Sequence, residues 1–320
     1  METAADGVGG VGEYRGTAAD GVGGVGEYSV LDREYSPSSV ARDPAGSLRR
    51  YRRRSDTARA RLDVHIAVPY GAGHGERCHV FPAVPQGVRG PETPALVFVH
   101  GGHWQESGID DACFAARHAV AHGCAYVAVG YGLAPDRTVP GMIASVGRAL
   151  EWLAGTGPIL GIDPQRLHVA GSSAGAHLLA AALAGPDAPR VRSACLMSGL
   201  YDLTEIPETY VNDAVRLTPE LARECSPLRM PAPRCDSILL AAGQHETRTY
   251  LRQHEVYAAY LAAQSVPVSA RIVPERDHFD LPLDLVDPST PFGRTSLRHL
   301  GLAPRRRGAP TPEGTVTSAR

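Results

Sequence analysis

The chain has 320 residues, a formal charge of −2, and 32 basic side chains that are all arginine. That length suits one large α/β domain or two ordinary ones, the weak net charge leaves no basic footprint for nucleic acid, and the absence of lysine excludes Schiff-base and P-loop lysine chemistry. Six cysteines without a C-x-x-C pair, and no apolar run near the roughly 18 residues a membrane span needs, point to a soluble protein of a reducing, cytoplasmic compartment.

The N-terminus carries the repeat "TAADGVGGVGEY" at 3–14 and again at 17–28. Two copies are too few for a solenoid, and glycine-rich sequence of this kind cannot offset its ordering entropy by burial. Residues 1–30 are expected to be a disordered tail without signal-peptide features. Residues 31–304 then form the folded domain and 305–320 a second disordered tail.

Within the domain, "LDVHIAVPY" (62–70) and "RCHVFPAV" (77–84) read as early antiparallel strands, followed by the apolar strand "ALVFVH" (95–100). "DACFAARHAVAHG" has helical spacing and ends on a glycine. "CAYVAVGY" (124–131) is a strand and "VPGMIASVGRALEWLAG" a helix with Pro140 near its start. "RLHVAG" (166–171), "SACLMSG", "DSILLAAG" (236–243) and "VSARIVP" are further strands, with helices at "AGAHLLAAALAG" and "TYLRQHEVYAAYLAAQ". Such alternation predicts a mostly parallel sheet covered by helices on both faces. The rhythm breaks at about 200–235, which is expected to form a small cap or lid over the sheet.

"HVAGSSAGAHLLA" (168–180) contains G-x-S-x-G between a predicted strand and a predicted helix. Glycines on either side let the backbone turn sharply and hold a serine at a helix N-terminus, where developing negative charge is favoured. The register selects Ser173 over Ser172 as nucleophile. A serine hydrolase also needs preorganised N–H donors for an oxyanion. "HGGHW" (100–104) ends an early strand where such a loop belongs, so Gly101, Gly102 and Ala174 are the expected donors. His100 then braces the loop and Trp104 packs it. A metal at His100 and His103 would lack a carboxylate or cysteine to complete its ligand set, so no metal is expected. The base is expected after the last strand, at His278 in "PERDHFD", since His254 falls within a helix and His299 near a frayed end. The acid is expected after "DSILLAAG", at Glu246, 32 residues before His278. Asp277 is too close to His278, Asp236 is at the wrong end of its strand, and Asp202 follows an earlier strand.

With "YSPSS" (35–39), "HGGHW", "YGLAP" (131–135), "GIDPQRLHVAGSSAGAHL" (161–178), "SGLYDL" (198–203), "YVNDAVRLT" through "CSPL" (210–228) and "DHF" (277–279), the sequence resembles the α/β-hydrolase kynurenine formamidases (arylformamidases). H-G-G-x-W is the most family-specific of these motifs. The resemblance implies an α/β-hydrolase fold, no cofactor, a triad of Ser173, Glu246 and His278, and hydrolysis of N-formylkynurenine to kynurenine and formate. The pathway implied is tryptophan catabolism or a tryptophan-derived secondary metabolism. Three positions depart from the pattern: Ser172 stands where histidine is more frequent, Glu246 where aspartate is frequent, and His79 where an aspartate is expected. Tyr131, Tyr201, Asn212 and Trp104 are candidates for substrate contact. The expected partner is a small N-formyl arylamine, with a homodimer the assembly to test and no nucleic acid or membrane. The rival readings are a small-acyl carboxylesterase of the same fold and a non-catalytic binding module. The latter usually lacks a triad member, and here all three are present.

Overall fold

The computed structural model describes residues 29–83 and 92–302. Both expected tails therefore lie outside the described residues, except for Ser29 and Val30. Ser29 caps and Val30 opens a short helix, α1 (Val30–Glu34), so these two residues of the expected tail are helical structure. There follow α2 (Pro44–Arg61), β1 (His65–Pro69), β2 (Arg77–Phe81), β3 (Thr93–Val99), α3 (Ala116–Ala121), β4 (Ala125–Val129), α4 (Val139–Thr156), β5 (Ile162–Ser172), α5 (Ala174–Leu183) and β6 (Ser193–Met197). Past β6 come α6 (Asn212–Val215), α7 (Pro219–Glu224), β7 (Ile238–His245), α8 (Arg248–Ala263), β8 (Val268–Asp277) and α9 (Pro291–His299). All the strands anticipated from sequence are present. Helices α2 and α9 have no counterpart among the predicted elements.

The strands form one eight-stranded sheet in the order β1-β2-β4-β3-β5-β6-β7-β8. Its first two pairings, β1 with β2 and β2 with β4, are antiparallel, and the rest are parallel. The central strands β3, β4, β6 and β7 are buried on both faces, whereas the edge strands β1 and β8 are largely open, and the central strands divide their side chains between two cores. Ala95, Val97 and Val99 of β3 enter one core with Met142, Val146, Leu150 and Leu153 of α4 and with α5 and α8. Leu96 and Phe98 enter the other, with Ala116 and Ala119 of α3 and Phe292 and Leu297 of α9. His299, expected near a frayed end, instead reaches the Ala194 carbonyl at 3.2 Å from the docked end of α9. His254, within a helix as expected, is on the buried side of α8.

The segment 200–235 holds α6, α7 and two single turns, and its Leu200, Leu203, Ile206, Val211, Leu217 and Ala222 join the α4/α5 core. A buried histidine fastens it to α5 and to the loop after β3. His177 on α5 accepts from Trp104 Nε1 at 3.1 Å on Nδ1, and so donates from Nε2 to the Cys225 carbonyl at 2.8 Å. Burial pushes its pKa down to about 4, which keeps the ring neutral for both roles.

Candidate active site

Strand β5 ends at Ser172 and α5 begins at Ala174, leaving Ser173 to make the whole turn at φ 54°, ψ −121°. A non-glycine residue holds such a conformation only where its surroundings over-determine it. Here the Ser173 N–H donates to the Met197 carbonyl at 2.8 Å, and its own carbonyl accepts from His177 at 3.1 Å. The two motif glycines are required by contact. A Cβ on Gly171 would lie 2.7 Å from the Gly175 carbonyl group, and one on Gly175 would lie 2.1 Å from the Val99 oxygen. Helix α5 thus starts directly against the end of β3, the strand that launches the H-G-G loop. Ser172, by contrast, is still in the sheet, paired with Met197.

The H-G-G loop comes down on the elbow. A Cβ on Gly101 would meet the Ser172 oxygen at 2.9 Å and Ser173 Cβ at 3.1 Å. Gly102 turns the loop at φ 109°, and its carbonyl accepts from both Gln105 and Glu106 at 2.9 Å. His103 and Trp104 follow with positive φ. His100 braces the loop as expected: its Nδ1 sits 2.8 Å from the Gly101 carbonyl, and its ring stacks on Tyr131 at 4.5 Å. Burial lowers its pKa to about 4.

Opposite the elbow, His278 follows β8 and Glu246 follows β7. His278 Nδ1 lies 2.9 Å from Glu246 Oε2, and the other carboxylate oxygen accepts from Ser198 Oγ at 2.5 Å. The aspartates set aside on sequence grounds are occupied elsewhere. Asp277 accepts from the backbone of Arg42, Phe279 and Asp280. Asp202 holds Thr204, and Asp236 pairs with Arg190. Among the described residues, no group of three or more His, Cys, Asp or Glu side chains is arranged to hold a metal ion.

The four candidates for substrate contact are each engaged in packing or in hydrogen bonds of the fold. Trp104 is fully buried and spends its indole N–H on His177. Tyr131 donates to the His100 carbonyl at 3.1 Å, behind the H-G-G loop. Tyr201 is buried and stacked on Tyr257 at 3.9 Å. Asn212 closes a cap turn, accepting from Leu217 N at 2.7 Å and donating to Leu217 O at 3.1 Å. His79, one of the departures, accepts from Ala67 N at 3.0 Å and reaches Asp110 at 3.1 Å, away from the elbow.

Residues that sequence reasoning did not single out fill the space instead. Tyr250, in the first turn of α8, is fully buried, with its hydroxyl 3.1 Å from His103 Nε2 and its ring edge-on to His278 at 4.7 Å. Helical side chains lean toward the helix N-terminus, so a tyrosine four residues after Glu246, in a helix capped by Thr247, leans back over the acid loop. That spacing was the available signal.

A strap from the N-terminal end ties these loops together. Asp32, in a capping box with Ser29, accepts from Tyr210 N at 2.7 Å. Glu34 accepts from Thr247 Oγ1 at 2.6 Å and Thr249 N at 2.9 Å, Tyr35 donates to Glu205 at 2.8 Å, and Arg42 N donates to Asp277 at 3.0 Å. The strap therefore touches the residue after Glu246, the residue before His278 and the cap. A chain starting at Ser29 is expected to match the full chain in melting temperature and activity. One starting at Val40 loses the fully buried Tyr35, a loss of about 3 kcal/mol, and should melt several degrees lower with most activity gone. Equal melting curves and rates for the two truncations would show that the strap is inert.

The α/β hydrolase fold family matches residues 96–280, which is more than half of the chain. A kynurenine formamidase of Danio rerio is 32% identical over 298 residues, covering 85% of this chain and 96% of that protein. The chain belongs to the kynurenine formamidase family of α/β hydrolases. A shorter likeness, 41% over 88 residues and covering 27% of this chain and 28% of the relative, joins it to the carboxylesterase NlhH of Mycobacterium tuberculosis. Among solved structures, one from Silicibacter sp. superposes with a TM-score of 0.71 at 24% identity, covering 83% of this chain and 98% of that one, and it supports the fold. For a member of this family the elbow, the H-G-G loop and the Glu246–His278 contact all lie at the C-terminal end of the parallel strands, where open α/β sheets bind ligands.

Proposed function

We propose that this hydrolase cleaves the formamide of N-formylkynurenine, or of a related N-formyl arylamine, with Ser173 as nucleophile, His278 as general base and Glu246 as its orienting carboxylate. The observation that carries the chemistry is the 2.9 Å contact between His278 Nδ1 and Glu246. A carboxylate on Nδ1 sets the tautomer that leaves Nε2 free to take the serine proton, and it stabilises the imidazolium that results. The substrate rests on the family likeness, which spans nearly the whole length of the Danio rerio relative. The pathway proposed is tryptophan catabolism or a tryptophan-derived secondary metabolism.

In this reading Ser173 attacks the formyl carbon as His278 takes its proton. The N–H groups of Gly101, Gly102 and Ala174 bind the oxyanion. His278 then protonates the departing nitrogen. An aniline leaves more readily than an alkyl amine, which suits an esterase-like site to this amide. Water next attacks the formyl-enzyme, and formate departs as Ser173 recovers its proton.

The carboxylesterase reading is favoured by the local likeness to NlhH. Formate release from a panel of N-formyl arylamines, run beside nitrophenyl acetate hydrolysis, separates the two. The formamidase reading expects kcat/KM of about 10⁴ M⁻¹s⁻¹ or more on N-formylkynurenine. Ester turnover with formate release below a hundredth of that value would replace it with the esterase reading.

A further inference from the structure

We infer that Tyr250 is a catalytic residue: it donates a hydrogen bond to Ser173 Oγ, is itself held in that role by His103, and acts when the acyl-enzyme breaks down. The inference rests on the nucleophile and base proposed above.

The contacts come first. The Tyr250 phenol is fully buried, lies 3.1 Å from His103 Nε2, and has the Ser173 side chain as a neighbour that acts on it. Its ring edge rests on His278. Burial, followed by the Glu246 charge, pushes the phenol pKa well above its usual value, so it keeps its proton. Burial, followed by the neighbouring His278, pushes His103 down to about 4, so that ring carries a single N–H near neutral pH.

Proton inventory then fixes the direction of each bond. Ser173 has one hydroxyl proton, and catalysis assigns it to His278. In the inferred hydrogen bond between the two hydroxyls, Tyr250 must therefore donate and Ser173 accept. With its proton committed to Ser173, Tyr250 can only accept from His103, which places the His103 proton on Nε2. The chain of donors runs His103 Nε2–H to Tyr250 Oη–H to Ser173 Oγ.

Such a donor affects the two half-reactions differently. During acylation Ser173 Oγ is the attacking atom, and a hydrogen bond to it gives no net help. During deacylation water adds to the acyl carbon, the carbon–Oγ bond breaks, and the electron pair moves onto Oγ while the His278 imidazolium returns the proton. Tyr250 keeps its own proton throughout and stabilises the charge developing on Oγ, as an oxyanion donor does.

Burst kinetics with nitrophenyl acetate test this on the full-length protein. Tyr250→Phe is expected to keep the acylation rate constant within about threefold and to slow deacylation about 10- to 100-fold, with a burst of one nitrophenol per site and KM falling alongside kcat. His103→Leu should behave like Tyr250→Phe, and His103→Gln, which retains an N–H donor, should recover part of the deacylation rate. Deacylation at the wild-type rate in Tyr250→Phe overturns the inference, as does an equal loss in both steps. A melting curve and active-site titration of each variant identify a folding defect, and His103→Gln against His103→Leu then decides the matter: equal deacylation rates in that pair overturn the donor chain. A burst that survives Ser173→Ala would mean that the nucleophile is wrong, which is a separate failure.

Discussion

Ser173→Ala is expected to abolish formate release, by about 10⁶ in kcat, while Ser172→Ala keeps most of it. Adjacent serines make this a test of register rather than of motif. Ser172 is the last residue of β5 and pairs with Met197 in the sheet, whereas Ser173 is the residue forced to φ 54° at the start of α5. Ser172 meets the H-G-G loop through its backbone oxygen, whereas Ser173 meets it through its side chain, its Cβ lying 3.1 Å from where a Cβ on Gly101 would stand. Both replacements are small and remove no bulk, so the two variants should fold alike. An alanine at 173 keeps the positive φ strain, which the Met197 and His177 backbone bonds already hold. Formate release and labelling by a phosphonate inhibitor should vanish together in Ser173→Ala. A dead Ser172 variant beside a live Ser173 variant would put the nucleophile one residue earlier.

The parts legible in the sequence are those whose cause is local. The central strands are runs of β-branched and apolar residues because both of their faces are covered, and such runs read as strands without knowledge of their partners. The elbow was legible because two glycines and a serine at fixed spacing answer to contacts made within one turn. Helix α2 was not legible because its inward side is Gly46, Ser47, Ser55 and Ala58, set among arginines, and gives no apolar period. Helix α9 packs through Phe292, Gly293, Ser296 and Leu297, two of them without an apolar side chain. The candidate site divides along the same line. Ser173, Glu246 and His278 each follow a strand and were chosen by position. Tyr250, Ser198 and the strap come from separate elements whose convergence depends on the packed sheet. The tyrosines and the asparagine chosen for substrate contact are polar residues near a cleft in sequence, where no competing partner is visible. The structure gives Tyr131 a hydrogen-bond partner in His100 and Asn212 one in Leu217, and stacks the Tyr201 ring on Tyr257.

Glu246→Gln is expected to lower kcat by about 10⁴ while leaving the melting temperature within a degree or two. The amide matches the carboxylate in size, so packing is unchanged. Its hydrogen bonding is not. Both oxygens of Glu246 accept, Oε1 from Ser198 at 2.5 Å and Oε2 at 2.9 Å from His278 Nδ1. A glutamine has one oxygen to offer, and the Ser198 hydroxyl, already donating at this point, retains it. The NH₂ group then faces His278, which must present a bare Nδ1 and carry its proton on Nε2. That tautomer cannot take the proton of Ser173, and the charge that stabilised the imidazolium is gone as well. Removing Ser198 should relax the constraint, because the amide can then turn its oxygen to His278. The double variant Ser198→Ala, Glu246→Gln is accordingly expected to regain part of the loss of the single one, about tenfold, though not the share due to charge. Asp202→Asn should stay near wild type, and Asp277→Asn should lose less than Glu246→Gln, since its carboxylate orders the loop through backbone bonds rather than through His278. Measured kcat for the four variants decides the assignment. A larger loss in either aspartate variant would move the acid away from Glu246, and no recovery in the double variant would remove the tautomer explanation while leaving the charge.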